Sequence, residues 1–319
     1  MLTINDLLQA HQRIAAYVRR TPLVRSAGLS EQAGAEVWLK LESQQPTGSF
    51  KVRGALNAAS RLAERTRPVV TASAGNHGLG VAYAATMLGL TNVTIFVPET
   101  APAAKVTRLR RFPVRLNQVG RSYEEAHRAA VAFAQAQHAF YLEAYNDPDV
   151  VAGQGTAALE ILTELPTVQT LLVPVGGGGL VAGTTIATAV LAPEARVVGV
   201  QPAASPAALL SLQQGAAIDP YDPGPTLADG LAGGFGRVPF ALAAERIERI
   251  LLADEATIRR AIFTLVDQEQ LVVEASAAIA IVPLLTGDLD VRGQTVVAIL
   301  TGANIDSIVL RAILNEFAG

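Results

Sequence analysis

Four consecutive glycines at positions 176–179 form the most distinctive candidate binding run in the sequence. They follow the apolar stretch TLLVPV and precede the helical pattern LVAGTTIATAVL, so they lie where a strand gives way to a helix. Glycine lets the backbone approach a ligand closely, and a helix N-terminus offers free N–H groups and a positive partial charge. A tight turn needs fewer glycines than four, which favours a phosphate site. The run matches neither a P-loop nor a dinucleotide fingerprint, because Gly-Lys-Ser/Thr and the later acidic residue are both missing.

A lysine in an unusual setting supplies the second candidate. Lys51 lies in PTGSFKVRGALNAA (46–59), between small and turn residues and directly after Phe50. Most lysines are solvated surface residues, but a lysine in a dry site has a lowered pKa and can act as nucleophile and base. A reactive lysine combined with a phosphate site indicates a phosphorylated aldehyde held as a Schiff base. The sequence therefore predicts pyridoxal 5'-phosphate as the cofactor.

A third motif, TASAGNHGLG (71–80), is a glycine-rich turn that follows the apolar run PVV. Such turns between a strand and a helix often bind anions. With the lysine segment, the GGGGL loop and LTGANID near the C-terminus, this turn resembles the threonine/serine dehydratase and serine racemase family of pyridoxal-phosphate enzymes. The resemblance covers nearly the whole chain, with the motifs in family order. The Ser-x-Lys-x-Arg-Gly form and the Asn-His pair are less similar to cysteine synthases.

The resemblance implies a role for each motif residue. Lys51 is expected to bind the cofactor covalently and to act as the base at the substrate Cα. The other expected cofactor-binding residues are Gly176, Gly177, Gly178 and Gly179 at the phosphate, Asn76 at the ring 3′-oxygen, Phe50 on one ring face, Thr301 at the pyridine nitrogen and Glu274 near the ring. The expected substrate-binding residues are Ser73, Ala74, Gly75, Asn76 and His77, largely through their main chain at the carboxylate.

Three positions bear on which reaction the chain favours. Racemases of this family carry a serine proton donor where this chain has Ala74, which favours elimination over racemisation; a small residue required by a crowded turn is the other interpretation. Thr301 stands where most relatives have Ser, and a neutral hydroxyl leaves the cofactor a weaker electron sink, which also favours elimination. Glu274 either titrates near the ring or is a helix N-terminal acid stabilised by the macrodipole.

Gln201 and Ala207 replace the Glu and Asp that bind a divalent metal in relatives. Because hard cations need anionic oxygen ligands, we expect no such metal site. A monovalent ion held by carbonyl groups stays open. Arg53 is predicted to be structural, fixing the lysine helix, and His127 and His138 are interpreted as surface residues without ligand spacing.

Composition excludes several function classes. The 319 residues include no cysteine and carry a net charge of −3, and no basic run is long enough to indicate nucleic-acid binding. The N-terminus lacks a signal-peptide pattern, and the apolar stretches are too short or too broken by Gly and Pro to span a bilayer. We expect a cytoplasmic enzyme that binds neither nucleic acid nor membrane. The resemblance implies a homodimer or homotetramer.

The hydrophobic pattern alternates strands with helices, which predicts an α/β protein with mostly parallel sheets. The predicted strands are 36–42, 68–72, 92–98, 113–119, 169–176, 195–202, 248–254 and 294–302. The predicted helices are 5–18, 76–88, 101–111, 122–137, 153–165, 180–191, 255–270 and 276–285. The resemblance specifies the two-domain tryptophan-synthase-β-like fold. Its large cofactor-binding domain is predicted at 1–64 and 146–319, and its small substrate-side domain at 65–145.

These features predict dehydrative deamination of L-threonine, and of L-serine, to a 2-oxo acid and ammonia. Within the family, the alternatives are a serine racemase and a 3-hydroxyaspartate dehydratase. A dinucleotide-binding Rossmann protein is the alternative outside it, and it would lack the violet absorption of lysine-bound pyridoxal phosphate. Because the chain ends one helix after LTGANID, no C-terminal regulatory domain and no isoleucine feedback through one are expected.

Overall fold

The computed structural model describes residues 2–64 and 66–317, whose strands form two sheets. The strands in these ranges are β1 (Leu23–Arg25), β2 (Glu36–Lys40), β3 (Val69–Ala72), β4 (Val93–Val97), β5 (Arg115–Gln118), β6 (Phe140–Tyr141), β7 (Thr170–Pro174), β8 (Arg196–Pro202), β9 (Arg249–Ala253) and β10 (Thr295–Ile299). The eight predicted strands are confirmed. The strands β1 and β6 were not predicted, because strands of three and two residues are too short to show a hydrophobic periodicity.

The helices surround these strands on both sides. In the same ranges they are α1 (Ile4–Ile14), α2 (Ala27–Ala33), α3 (Lys51–Ser60), α4 (Asn76–Leu88), α5 (Ala103–Leu109), α6 (Tyr123–Ala136), α7 (Pro148–Glu164), α8 (Gly179–Leu191), α9 (Ala207–Gln214), α10 (Arg237–Ala243), α11 (Glu255–Asp267), α12 (Ala275–Ala278), α13 (Val282–Thr286) and α14 (Ser307–Phe317). None of them has the length and apolar character needed to span a bilayer.

The larger sheet has the order β1-β2-β10-β7-β8-β9, and only its edge pair β1–β2 is antiparallel. Its central strands β10, β7 and β8 are buried on both faces. In β10, Val296 and Ala298 belong to one apolar core and Val297 and Ile299 to another. Since successive side chains of a strand point to opposite faces, consecutive apolar residues mark a strand covered by helices on each side.

The smaller sheet has the order β5-β4-β3-β6 and is entirely parallel. Helix α3 packs its apolar residues into the same core as Val69 and Ile95 of this sheet. The predicted division into domains stays a prediction. Residues 1, 65, 318 and 319, which include the outer limits of the predicted large domain and the first residue of the small one, lie outside the described residues.

Candidate active site

A cavity of about 770 Å³ lies beyond the carboxyl ends of strands from both sheets. The segments that follow β3, β7 and β10 all reach it, as expected at the carboxyl edge of parallel strands. The cavity wall contains every predicted site residue: Phe50, Lys51, Ser73, Ala74, Gly75, Asn76, His77, Gly176, Gly177, Gly178, Gly179, Glu274 and Thr301. The structure thus brings together residues from distant parts of the chain, although the role of each stays a prediction.

Lys51 begins α3, and its amine faces the cavity. Its Nζ donates a hydrogen bond to the carbonyl oxygen of Ala144 at 3.1 Å and lies 5.3 Å from the centre of the Phe50 ring. Burial lowers the pKa of Lys51 to about 8, against the opposing charge of Glu274. The neutral amine, which is the nucleophilic and basic form, is therefore available near neutral pH to a far greater extent than in an exposed lysine.

The other two lysines of the chain are engaged elsewhere. Lys40 is fully buried and pairs with Glu160 at 2.6 Å, while Lys105 pairs with Asp229 at 2.5 Å at the mouth of the cavity. Lys51 differs from both: its amine is desolvated, and in the described structure it forms no ion pair with a carboxylate. Its setting supports the role that the sequence predicts for it.

Arg53 anchors the helix that carries Lys51. Its guanidinium donates to both carboxylate oxygens of Glu42, each at 2.8 Å, and to those of Glu160 at 2.8 and 2.9 Å, with all three side chains buried. Burial opposes ionisation of Glu42, but the charge and hydrogen bonds of Arg53, with the charge of Lys40 and the hydrogen bond from Thr21, together outweigh it, so the pKa of Glu42 lies below its usual range. The predicted structural role of Arg53 is thereby given a physical basis.

Close helix packing supports the same arrangement. A Cβ on Gly153 of α7 would lie 2.6 Å from the carbonyl oxygen of Arg53, and one on Gly54 would lie 2.8 Å from that of Val150. Such distances are far shorter than ordinary contacts, so glycine is required on both helices at this crossing. The first turn of α3 is therefore held against α7.

Asn76 lies at the start of α4 and joins two groups across the cavity. Its Nδ2 donates to Glu274 Oε1 at 2.6 Å, and its Oδ1 accepts from Asn304 Nδ2 at 2.7 Å. Asn304, within the LTGANID motif, was not singled out from the sequence, although that motif was the available signal. Glu274 precedes α12, but its side chain bonds to Asn76 and makes no capping bond with the helix. Burial and the charge of Asp229 raise the pKa of Glu274 to about 7.

The 73–77 segment forms a tight turn at the N-terminus of α4. The Gly75 N–H donates to Ser73 Oγ at 3.2 Å, and a Cβ on Gly78 would overlap the carbonyl oxygen of Ser73. His77 is buried, with Nε2 3.1 Å from the carbonyl oxygen of Leu142. Burial and the nearby charge of Lys51 lower the pKa of His77 to about 3. The ring is therefore neutral, and a proton on Nε2 donates to that carbonyl.

The glycine run 176–179 leads into α8, as predicted. Gly178 has φ +94°, a left-handed conformation that disfavours other residues, and a Cβ there would overlap Phe235. A Cβ on Gly177 would overlap the ring of Tyr145. The first N–H groups of a helix have no intrahelical partner, so this run presents free donors to the cavity. Tyr145 and Phe235, which shape the run, carry no local sequence signal.

The interpretation of His127 as a surface residue is wrong. His127 lies in the cavity wall, stacked on Tyr123 at 5.8 Å between ring centres and in edge contact with Tyr141 at 5.6 Å. The sequence does not show that His127 lies in the cavity wall, because α6 is polar and turns one face toward the cavity and the other toward solvent. His138 is exposed, as expected.

Gln201 is held by neutral hydrogen bonds. Its Nε2 donates to the carbonyl oxygen of Val175 at 3.1 Å, and its Oε1 accepts from the N–H groups of Ala208 and Leu209 at the start of α9. The amide N–H of Gln201 thus occupies the Val175 carbonyl oxygen, which could otherwise serve as a ligand to a cation. Among the described residues, no group of three or more His, Cys, Asp or Glu side chains is arranged to hold a metal ion.

A family model described as "Pyridoxal-phosphate dependent enzyme" matches residues 14–302. The chain belongs to this family. It is 40% identical to the L-threonine ammonia-lyase of Thermotoga maritima over 319 residues, which covers 99% of this chain and 79% of that protein. Two solved structures are also similar. The processed form of threonine deaminase isoform 2 from Solanum lycopersicum has TM-score 0.90 and 31% identity, covering 98% of this chain and 89% of that one. Maize serine racemase has TM-score 0.92 and 28% identity, covering 99% and 98%.

These comparisons confirm the predicted family, its mostly parallel α/β fold and its cofactor. The residues of the cavity fit pyridoxal phosphate. The Nδ1 atom of His77 and the Nε2 atom of Gln154 are buried without a hydrogen-bond partner among the described residues, and both side chains line the cavity beside Lys51. Buried polar atoms of this kind indicate a site built around a polar ligand. The glycine run offers the matching anion site.

Proposed function

We propose that the chain is an L-threonine ammonia-lyase that also accepts L-serine, converting each to its 2-oxo acid and ammonia. The observation that carries the proposal is the convergence of Lys51, the 176–179 glycine run and the 73–77 turn in one cavity. The similarity to the T. maritima L-threonine ammonia-lyase supports the substrate. L-Threonine gives 2-oxobutanoate and ammonia, and the atoms balance because the water lost on elimination is regained on hydrolysis.

Bound pyridoxal phosphate supplies the electron withdrawal that acidifies the substrate Cα–H bond. The N–H groups of the glycine run would hold its phosphate, and Asn76 and Thr301 would lie toward its ring. Lys51 takes up the Cα proton, for which its lowered pKa suits it. The N-terminus of α4 binds the substrate carboxylate through main-chain N–H groups of the 73–77 turn. Loss of the β-hydroxyl then gives an enamine that hydrolyses in water.

Thr301 supports elimination over transamination. Its buried hydroxyl donates its one proton to the carbonyl oxygen of Ser276 at 3.3 Å, so toward the cavity it can present only a neutral oxygen acceptor. A hydroxyl cannot stabilise a full positive charge on a ring nitrogen as a carboxylate would. The electron withdrawal is accordingly moderate, and rapid loss of a β-leaving group is favoured.

The experiment that tests the substrate is steady-state 2-oxo acid formation from L-threonine, L-serine, D-serine and L-threo-3-hydroxyaspartate. We expect the highest kcat/KM for L-threonine, followed by L-serine. A preference for L-threo-3-hydroxyaspartate would contradict the proposed substrate. Accumulation of D-serine from L-serine as the main product would identify a racemase instead.

Ala74→Ser tests why elimination prevails. Ala74 lines the cavity beside the predicted carboxylate turn and has no proton to donate. The serine variant should raise the ratio of racemisation to elimination of L-serine, measured by chiral chromatography of the residual substrate. Ala74→Gly, which also lacks a donor, is the matched control and should leave the ratio unchanged. An unchanged ratio in the serine variant would show that the position is only steric.

A chelator should leave activity nearly intact. The Gln201 amide makes hydrogen bonds to the Val175 carbonyl and to the N-terminus of α9 without a metal. As an amide, it also lacks the negative charge that a divalent ion needs from a ligand at this position. The measurement is 2-oxobutanoate formation with and without EDTA, followed by addition of Mg²⁺. Strong inhibition reversed by Mg²⁺ would show that other ligands complete a site.

We also infer a cytoplasmic location and a homodimer or homotetramer. The composition and the family resemblance support them, and size-exclusion chromatography with light scattering measures the assembly. A monomer at micromolar concentration would contradict it.

A further inference from the structure

Glu143 lies in the cavity wall, between the groups that hold Lys51 and His77 in place. The N–H of Leu142 donates to the carbonyl oxygen of Val70, so the chain stays extended just after β6. The Leu142 carbonyl oxygen is 3.1 Å from His77 Nε2, and the Ala144 carbonyl oxygen accepts from Lys51 Nζ at 3.1 Å. The Leu142 side chain is fully buried in the core, and alternation along an extended chain turns Glu143 toward the cavity that it lines.

The surroundings of Glu143 are acidic and aromatic. The titratable and charged groups that face this part of the cavity are Tyr123, Glu124, His127 and Arg128 of α6, Tyr141, Tyr145 and Asp147 of its own segment, Asp219 and Arg237 of the 219–237 region, Lys51 of α3 and His77 of α4. Burial, with the charges of Asp147 and Asp219, raises the pKa of Glu143 to about 7. Burial also lowers the pKa of His127, so that ring is mostly neutral at pH 7.

The cations at the other end of the cavity are already engaged. Lys105 pairs with Asp229 at 2.5 Å, and Arg108 donates to Asn304 Oδ1 at 3.0 Å beside Asn76. Arg128 lies on α6 and is exposed, so solvent screens its charge. Lys51 serves the cofactor and, as a neutral base, the Cα proton. A carboxylate on a substrate side chain near Glu143 would therefore meet a like charge without a charged, desolvated cation to offset it.

We propose that Glu143 sets the side-chain charge selectivity of the site, excluding amino acids with an anionic side chain and leaving neutral β-hydroxy amino acids as the substrate class. This inference rests on the proposed function. Two like charges about 6 Å apart in a partly desolvated site repel strongly enough to change affinity at least tenfold. Glu143 thereby separates the threonine reaction from the 3-hydroxyaspartate reaction, through a residue that lies outside every motif of the sequence.

The test is isothermal titration calorimetry of the holoenzyme with L-asparagine and L-aspartate. The two ligands are nearly isosteric, differ in side-chain charge and have no β-hydroxyl to lose. At pH 8 the wild type should bind L-asparagine at least about tenfold more tightly than L-aspartate. Glu143→Gln should reduce this ratio to below about threefold, whereas Glu124→Gln, at an exposed carboxylate of the same wall, should keep it.

The wild type alone provides a second test, which stands even if the variant fails to fold. Glu143 is neutral below its pKa of about 7 and charged above it. The preference for L-asparagine should therefore grow as pH rises from 6 to 8. The side chain of aspartate stays ionised throughout, since its pKa is about 3.9, so the change belongs to the enzyme. Its loss in Glu143→Gln separates Glu143 from Glu274, whose pKa is also about 7.

Tighter or equal binding of L-aspartate by the wild type would overturn the inference. So would a ratio that is unchanged in Glu143→Gln or constant between pH 6 and 8. The calorimetric readout does not depend on turnover. Absence of 2-oxobutanoate formation with the ratio preserved would refute the proposed function and leave the charge selectivity supported.

Discussion

Lys51→Ala is expected to lower kcat for L-threonine by at least about 10³-fold, because it removes both the covalent attachment point and the base at Cα. The variant should also lose the violet absorption band of the lysine-bound cofactor. The reason is structural: of the three lysines, Lys40 is buried in an ion pair and Lys105 is paired at the cavity mouth. Neither can take the place of the Lys51 amine.

The matched control is Lys105→Ala, which removes a cation from the same cavity wall without touching the reactive amine. It should retain the absorption band and most of the activity. Borohydride reduction followed by peptide mapping should place the cofactor on the peptide that contains Lys51. Full activity in Lys51→Ala, or cofactor attached to another residue, would contradict the proposed chemistry.

Arg53→Met is expected to reduce the free energy of unfolding by about 3–5 kcal/mol, as for other broken buried ion pairs. Methionine keeps much of the side-chain volume but leaves Glu42 and Glu160 buried with only Lys40 to offset their charges. Because Lys51 begins the same helix, the variant should also lose activity below its unfolding transition. Urea denaturation followed by circular dichroism measures the change in stability.

Arg61→Met is the matched control, at the other end of the helix. Arg61 forms an ion pair with Asp149 at 2.9 Å, but Arg61 is exposed and Asp149 is partly exposed, so solvent screens the pair and its loss should cost less than about 1 kcal/mol. If Arg53→Met were no more destabilising than Arg61→Met, the buried network would not be what holds α3.

The central strands were predictable because burial on both faces leaves consecutive apolar residues, as in β7 and β10. The two-residue β6 was not, since Phe140 and Tyr141 alone carry no pattern. Yet β6 decides where Glu143 lies. A polar residue directly after a strand of a parallel sheet lies at the ligand-binding edge, so recognising this strand would have indicated Glu143.

The motif residues of the site were predictable for a different reason. Lys51, Asn76 and the glycine run lie in short segments whose residue types point to a specific chemistry. Asn304 lies inside the LTGANID motif, which was a signal for it. His127 and Tyr145 reach the same cavity only through the order of the strands and the packing of α6, and this long-range placement leaves no local spacing in the sequence. The buried partners of Arg53 cannot be recognised from the sequence for the same reason, since Glu160 lies 107 residues away on α7.

The most direct test of the central claim is the stoichiometry of products from L-threonine with purified, cofactor-loaded protein. Ammonia and 2-oxobutanoate should appear in equal amounts, at a rate that disappears in Lys51→Ala. Unreacted threonine should keep its configuration at Cα. Conversion to the Cα epimer without ammonia release, or no turnover by a protein that shows the violet band, would contradict the account.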